Sequence, residues 1–125
     1  MRTLGVAIVL VLCVAGCARL SGHLTLSELA SSNQMKLAEL SVGMSKQDVI
    51  TLMGNNTAKT GDGIVNNPWT IETFVGRDGA HFETLYYVTR KNQPFTPVRK
   101  SLATVIVIKD GKVFGWGENA IKSIQ

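Results

Sequence analysis

The chain carries two cysteines, Cys13 and Cys17, four positions apart in "VLCVAGCARL", and two histidines, His23 and His81. Thiols so placed could close a disulfide, hold part of a metal site or act as a redox couple. The residues around them decide. Met1-Arg2-Thr3 is a short basic start, and Leu4 to Gly16 is an apolar run ending in small residues. That is the layout of a secretory leader, and the run is too short for a bilayer span of about 20 residues. Such a leader is expected to be removed, and Cys13, inside its apolar run, with it. Elsewhere, chemistry is hard to find. Neither histidine has a second histidine, cysteine or carboxylate at ligand spacing. There is no G-x-S-x-G elbow and no glycine-rich phosphate loop, and Ser45 is explained as a helix cap. Gly61-Asp62-Gly63 lacks the further oxygen ligands of a calcium loop. The expectation is a chain with no catalytic residue, no metal ligand and no dissociable cofactor.

The tetrapeptide Val14-Ala15-Gly16-Cys17 resembles the bacterial lipobox. That resemblance implies cleavage before Cys17, so that residues 1–16 leave as the signal peptide, with a diacylglyceryl group on the Cys17 thiol and an acyl group on its new amine. Small residues at positions 15 and 16 suit a peptidase that grips extended backbone, and only a thiol can make the thioether. Each buried CH₂ contributes about 0.8 kcal/mol, so several acyl chains give stable anchoring where one is marginal. The mature chain then keeps no free thiol, although it occupies a compartment where disulfides persist. Ala18, where an inner-membrane retention signal would place aspartate, implies by the same resemblance the periplasmic leaflet of an outer membrane.

The formal charge is +4 for the whole chain, so +3 once Arg2 leaves with the leader. This is mildly basic, suited to a neighbour of anionic lipid headgroups and far from the dense stripe of a nucleic-acid binder. The charge gathers in "YYVTRKNQPFTPVRKS" (Tyr86 to Ser101), where Arg90, Lys91, Arg99 and Lys100 flank Phe95 between prolines. Prolines reduce the entropy a loop loses on ordering, and an aromatic among cations suits an anionic headgroup or an acidic partner. Those five residues form the candidate interface. Trp69 and Trp116 lie in alternating segments and are expected in the core, with a role as interface anchors the alternative.

These residues need a scaffold. Residues 17–24 read as a polar tether and 25–125 as one domain, a size that can bury roughly two-thirds of its unfolded surface. Thr25 and Glu28 form a capping box for a helix over Thr25 to Leu40, with Leu26, Leu29, Ala30, Leu37 and Leu40 on one face and Asn33 interrupting it. Ser45 caps a short helix over Lys46–Met53, Met44 and Val49 are placed for a hydrophobic staple, and Gly54 ends it. Thr57 to Asn67 reads as an exposed loop. The period then changes to two in Trp69–Val75 and His81–Thr89, with Gly76 to Ala80 as the turn. Leu102 to Lys109 is apolar on both faces, as a central strand should be, and Asp110-Gly111 is a two-residue hairpin turn into Lys112–Gly117. The expected fold class is α+β, with two N-terminal helices packed on one face of a three- to four-stranded antiparallel sheet.

The segment "GMSKQDVITLMG" (Gly43 to Gly54), a tryptophan-led strand and a V-x-x-D-G-K-V-x-x-W hairpin (Val107 to Trp116) together resemble the SmpA/OmlA family of small outer-membrane lipoproteins. The match uses Gly43, Met44, Ser45, Val49, Gly54, Trp69, Tyr86 or Tyr87, Asp110, Gly111 and Val113. Asn56 stands where that family usually has proline, and the basic connection is longer. The resemblance implies a non-enzymatic lipoprotein that binds a protein partner in envelope assembly, the barrel-assembly machinery being one such partner. A periplasm-facing inhibitor or ligand sensor of the same fold, and an accessory lipoprotein of a secretion or conjugation apparatus, are the alternative readings.

Overall fold

The structure is a computed structural model that describes residues 22–93 and 96–125. The leader, Cys17 and Phe95 lie outside the described residues. Helices α1 (Leu26–Leu37) and α2 (Lys46–Met53) come first. The strands β1 (Ala58–Thr60), β2 (Gly63–Val65), β3 (Thr70–Val75), β4 (His81–Val88), β5 (Ala103–Lys109) and β6 (Lys112–Trp116) follow, and α3 (Glu118–Ile124) closes the order. Strands β3-β4-β5-β6 form an antiparallel sheet in sequence order, while β1 and β2 form a separate hairpin. The architecture is α+β, as the order of elements predicts.

Local chemistry accounts for the helix ends. Glu28 N–H donates to Thr25 Oγ1 at 3.2 Å and Thr25 N–H donates back to Glu28 Oε2 at 2.9 Å, a complete reciprocal box. Asp48 N–H donates to Ser45 Oγ at 3.1 Å. Gly54 ends α2 at φ 73° and ψ 178°, a positive-φ region open almost only to glycine. Asp110 and Gly111 both take positive φ, as their tight hairpin demands.

The sheet is apolar on both faces, and it is covered on both. Leu85, Tyr87, Ile106, Ile108 and Val113 meet Leu37, Val49 and Met53 from the first two helices and Leu40 from the link between them. On the opposite face, Phe82, Tyr86, Val105 and Val107 meet Ile124, Ala120 and Ile121 of α3. This corrects the expected helix placement. A central strand apolar on both sides needs cover on both sides, and α3 supplies the second with an apolar stripe at Ala120, Ile121 and Ile124. The expected exposed loop over Thr57 to Asn67 is corrected as well. It contains the β1–β2 hairpin, whose Ala58 and Val65 pack with Leu29, Ala30 and Val88. Three-residue strands are too short to display a period, and a distant segment holds this pair. Leu24 N–H donates to Thr57 O at 2.9 Å, and Lys59 N–H donates to Leu24 O at 3.0 Å.

Asn33, which interrupts the apolar face of α1, is fully buried and fully used. Its Nδ2 donates to Asn67 Oδ1 and to Val88 O, both at 2.8 Å. Asn67 Nδ2 donates back to Asn33 Oδ1 at 3.0 Å and to Met53 O at 3.1 Å. Buried amides left without partners cost about 1–3 kcal/mol each. Asn33→Leu is therefore expected to lower unfolding free energy by about 2–4 kcal/mol, since it strands the Asn67 amide and the Val88 carbonyl. Urea titration of the two chains reads this directly. A difference under about 0.5 kcal/mol would show that the amide pair is dispensable.

Candidate interaction surface

The basic connection leaves β4 and returns to β5 at one end of the sheet. Its base is closed by Thr89 and Arg90, whose N–H groups both donate to Leu102 O at 2.9 and 3.1 Å, and by a 2.8 Å bond between the Thr89 and Thr104 hydroxyls. Asn92 Nδ2 donates to Thr96 O within the connection. Val98 folds inward and packs on the cluster of Leu29, Ala30, Ala58, Val65 and Val88, beside Leu24 and Leu26. That contact sets the geometry of the site, because Leu24 is where the chain from the N-terminal side joins the domain.

The structure brings the four described cations of the candidate interface to this end, but it does not leave them equivalent. Arg90, Lys91 and Arg99 are exposed. Lys100 is engaged: its Nζ lies 2.6 Å from Glu72 Oε1 and 5.1 Å from the centre of the Tyr86 ring. The hydrogen bond to Glu72 holds the Lys100 ammonium above its ordinary pKa. Lys100 thus braces the sheet face, and three cations are presented. Phe95, the aromatic expected among them, lies outside the described residues. A shallow open groove of about 350 Å³ runs beside the connection, between Leu26, Lys59, Asp62, Asn92, Gln93 and Thr96. Its lining side chains are mostly polar, unlike the largely apolar walls of an enclosed small-molecule site.

Chemistry elsewhere is sparse. Among the described residues, no group of three His, Cys, Asp or Glu side chains could hold a metal ion. His23 Nδ1 is 2.6 Å from Thr57 Oγ1, a contact that fastens the tether end, and His81 is exposed at the start of β4. Trp69 is half-buried between two apolar clusters, as expected of a core residue. Trp116 is 37 % exposed, which corrects the core reading. It sits at the last position of an outer strand, opposite Ile106, where alternation in the sequence cannot show that cover has run out.

One residue has an unusual environment that sequence reading passed over. Tyr87 is wholly buried beneath α1 and α2, and its hydroxyl has no hydrogen-bond partner among the described residues. Burial pushes its pKa up to about 12, the wrong direction for an acid–base catalyst near neutrality.

With the geometry in place, comparison with known proteins adds one result. Residues 10–123 match the model of a family described as Protein of unknown function (DUF3192). The chain belongs to that family. No curated protein and no solved structure matches the chain. The matched span begins inside the apolar N-terminal run and extends into α3.

The Tyr87 hydroxyl yields a test. The folded chain keeps this phenol neutral where the unfolded chain ionises it. The resulting share of stability is complete below pH 10 and is lost as pH rises from 10 to about 12. Tyr87→Phe should remove that loss and, by deleting an unpartnered buried polar group, raise stability by about 1 kcal/mol near neutral pH. Urea midpoints from pH 7 to 12 report both effects, and a destabilised Phe variant would mean that the hydroxyl has a partner.

Proposed function

We propose that this chain is a non-enzymatic, lipid-anchored protein of the bacterial outer membrane that uses its basic end to bind an acidic protein partner during envelope assembly. One observation carries the reading. Leu24, at the end of the tether, shares an apolar cluster with Val98 of the basic connection. A lipid on Cys17 and the exposed Arg90, Lys91 and Arg99 therefore belong to the same end of the molecule.

The tether's reach sharpens this. The chain from Cys17 to Leu24, seven residue steps, spans at most roughly 25 Å when extended. At that distance the three cations face the zone next to the membrane, where anionic headgroups strengthen the attraction at about 1 kcal/mol per cation and orient the domain. A small interface suffices there, because anchoring raises the effective concentration of both partners. The shallow groove suits recognition by a surface.

Two measurements test the proposal. Intact mass spectrometry of the membrane-extracted protein should give a chain starting at Cys17 with diacylglyceryl and acyl groups, absent from Cys17→Ser. An unmodified Cys17 in the extracted protein would sink the anchoring. Crosslinked pull-down from envelopes should recover a defined partner, and the triple variant Arg90→Gln, Lys91→Gln, Arg99→Gln should lose at least about tenfold of it with the melting temperature unchanged, since all three side chains are exposed. Undiminished recovery would remove the basic end from the interface.

A further inference from the structure

The two outer edges of the four-stranded sheet are treated differently. The β6 edge is covered by the chain entering α2. Gly43 N–H donates to Val113 O and Val113 N–H to Met44 O, both at 2.8 Å, and Lys46 N–H donates to Gly111 O at 2.9 Å. The β3 edge has no neighbouring strand among the described residues. It is six residues long and contains no proline or lysine, the usual means of blunting an edge. Its one charge, Glu72, is neutralised by Lys100.

Hydrogen bonds reveal which β3 groups point outward. Gly76 N–H donates to Ala80 O at 2.8 Å and closes the β3–β4 hairpin. Bonded pairs alternate back from there, so Phe74, Glu72 and Thr70 spend their backbone groups on β4. The far side of β4 agrees. Thr89 N–H bonds Leu102 O at 2.9 Å, which commits the odd-numbered residues of β4 to β5 and leaves the even-numbered ones for β3. Ile71, Thr73 and Val75 therefore direct N–H and C=O away from the sheet. Their side chains share one face, with Ile71 47 % and Val75 59 % exposed.

We propose that β3 pairs antiparallel with β3 of a second copy, about a two-fold axis through Thr73. Charge and overlap select this register. Centring on Glu72 would set two carboxylates face to face, and centring on Phe74 would run Ile71 past the strand's end against Arg77. Centring on Thr73 sets Ile71 beside Val75 of the second copy twice over, Thr73 beside Thr73, and Glu72 beside Phe74. All outward backbone groups of the three residues are then paired, every side chain stays on its own face, and no like charges sit directly opposite; the two Glu72 side chains are diagonal neighbours, each paired with its own Lys100. The interface is isologous, as a two-fold requires. Five residues a side bury less than the roughly 1,200–2,000 Å² of stable interfaces, so the dimer is reversible and concentration-dependent. It stands independently of the proposed anchoring and of the basic end.

The test uses the full chain in detergent with Cys13→Ser and Cys17→Ser, so that an added cysteine is the sole thiol. Thr73→Cys should form a disulfide-linked dimer under mild oxidation, because bonded antiparallel pairs hold Cα atoms about 5.5 Å apart, within disulfide reach. Glu72→Cys and Val75→Cys should not, since neither residue meets its own copy. This position dependence separates edge pairing from association through the apolar leader. Sedimentation over a hundredfold concentration range should show monomer passing to dimer, and Thr73→Lys should weaken that step at least tenfold with folding unchanged. A monomer at every concentration, equal crosslinking at all three positions, or capture of a different envelope protein by Thr73→Cys would each overturn the proposal.

Discussion

Two buried amides hold the helical layer in place. Asn33 and Asn67 face each other in reciprocal hydrogen bonds, and their remaining donors reach Val88 O at the end of β4 and Met53 O at the end of α2. Four parts of the chain thereby meet at one polar point inside an apolar layer: α1, the end of α2, the chain leading into β3, and the end of β4. The last carbonyls of a helix need partners from outside it. Here Asn67 and the Lys36 ammonium, 3.0 Å from Met53 O, supply them. An apolar pair of similar volume could fill the space, but it would not dictate which carbonyls lie beneath α1.

Around that point the core divides by face. The covering of β5 on both sides makes the sheet a middle layer, and the division decides which surfaces are left over. At the β6 side the chain before α2 closes the edge with its own backbone. At the β3 side nothing described does so, and cover thins toward Ile71 and Val75. At Ile71 and Val75, exposed apolar side chains coincide with backbone donors and acceptors that no described strand uses, whereas Met35 and Val42 are exposed away from any open edge. Either feature alone is ordinary on a protein surface; together they have the character of a pairing edge.

The other surface of interest is polar. Three exposed cations gather at the end where the tether meets the domain, and Val98 is the side chain that draws the connection there. Lys100 has been drawn out of that group by Glu72 and the Tyr86 ring. An ion pair this exposed contributes little to stability. Its consequence is in charge distribution, since it silences the one carboxylate on the β3 edge and removes one cation from the basic end.

Residues acting on near neighbours were readable from the amino-acid order alone. Thr25 and Glu28, Ser45 and Asp48, and Asp110-Gly111 each satisfy or turn backbone within four positions, so helix starts and the hairpin turn were legible. Alternation in β3 and β4 was legible for the same reason, as was the two-sided apolar character of β5. What lay beyond reach depends on partners far along the chain. Asn33 looked like a flaw in an apolar stripe until Asn67 came to face it across 34 positions. The β1–β2 hairpin depends on Leu24, the exposure of Trp116 on where helical cover ends, and the openness of β3 on the order of strands. Periodicity tells a strand which side is apolar, and only tertiary packing decides whether that side is covered, because cover comes from elements whose position no local pattern encodes.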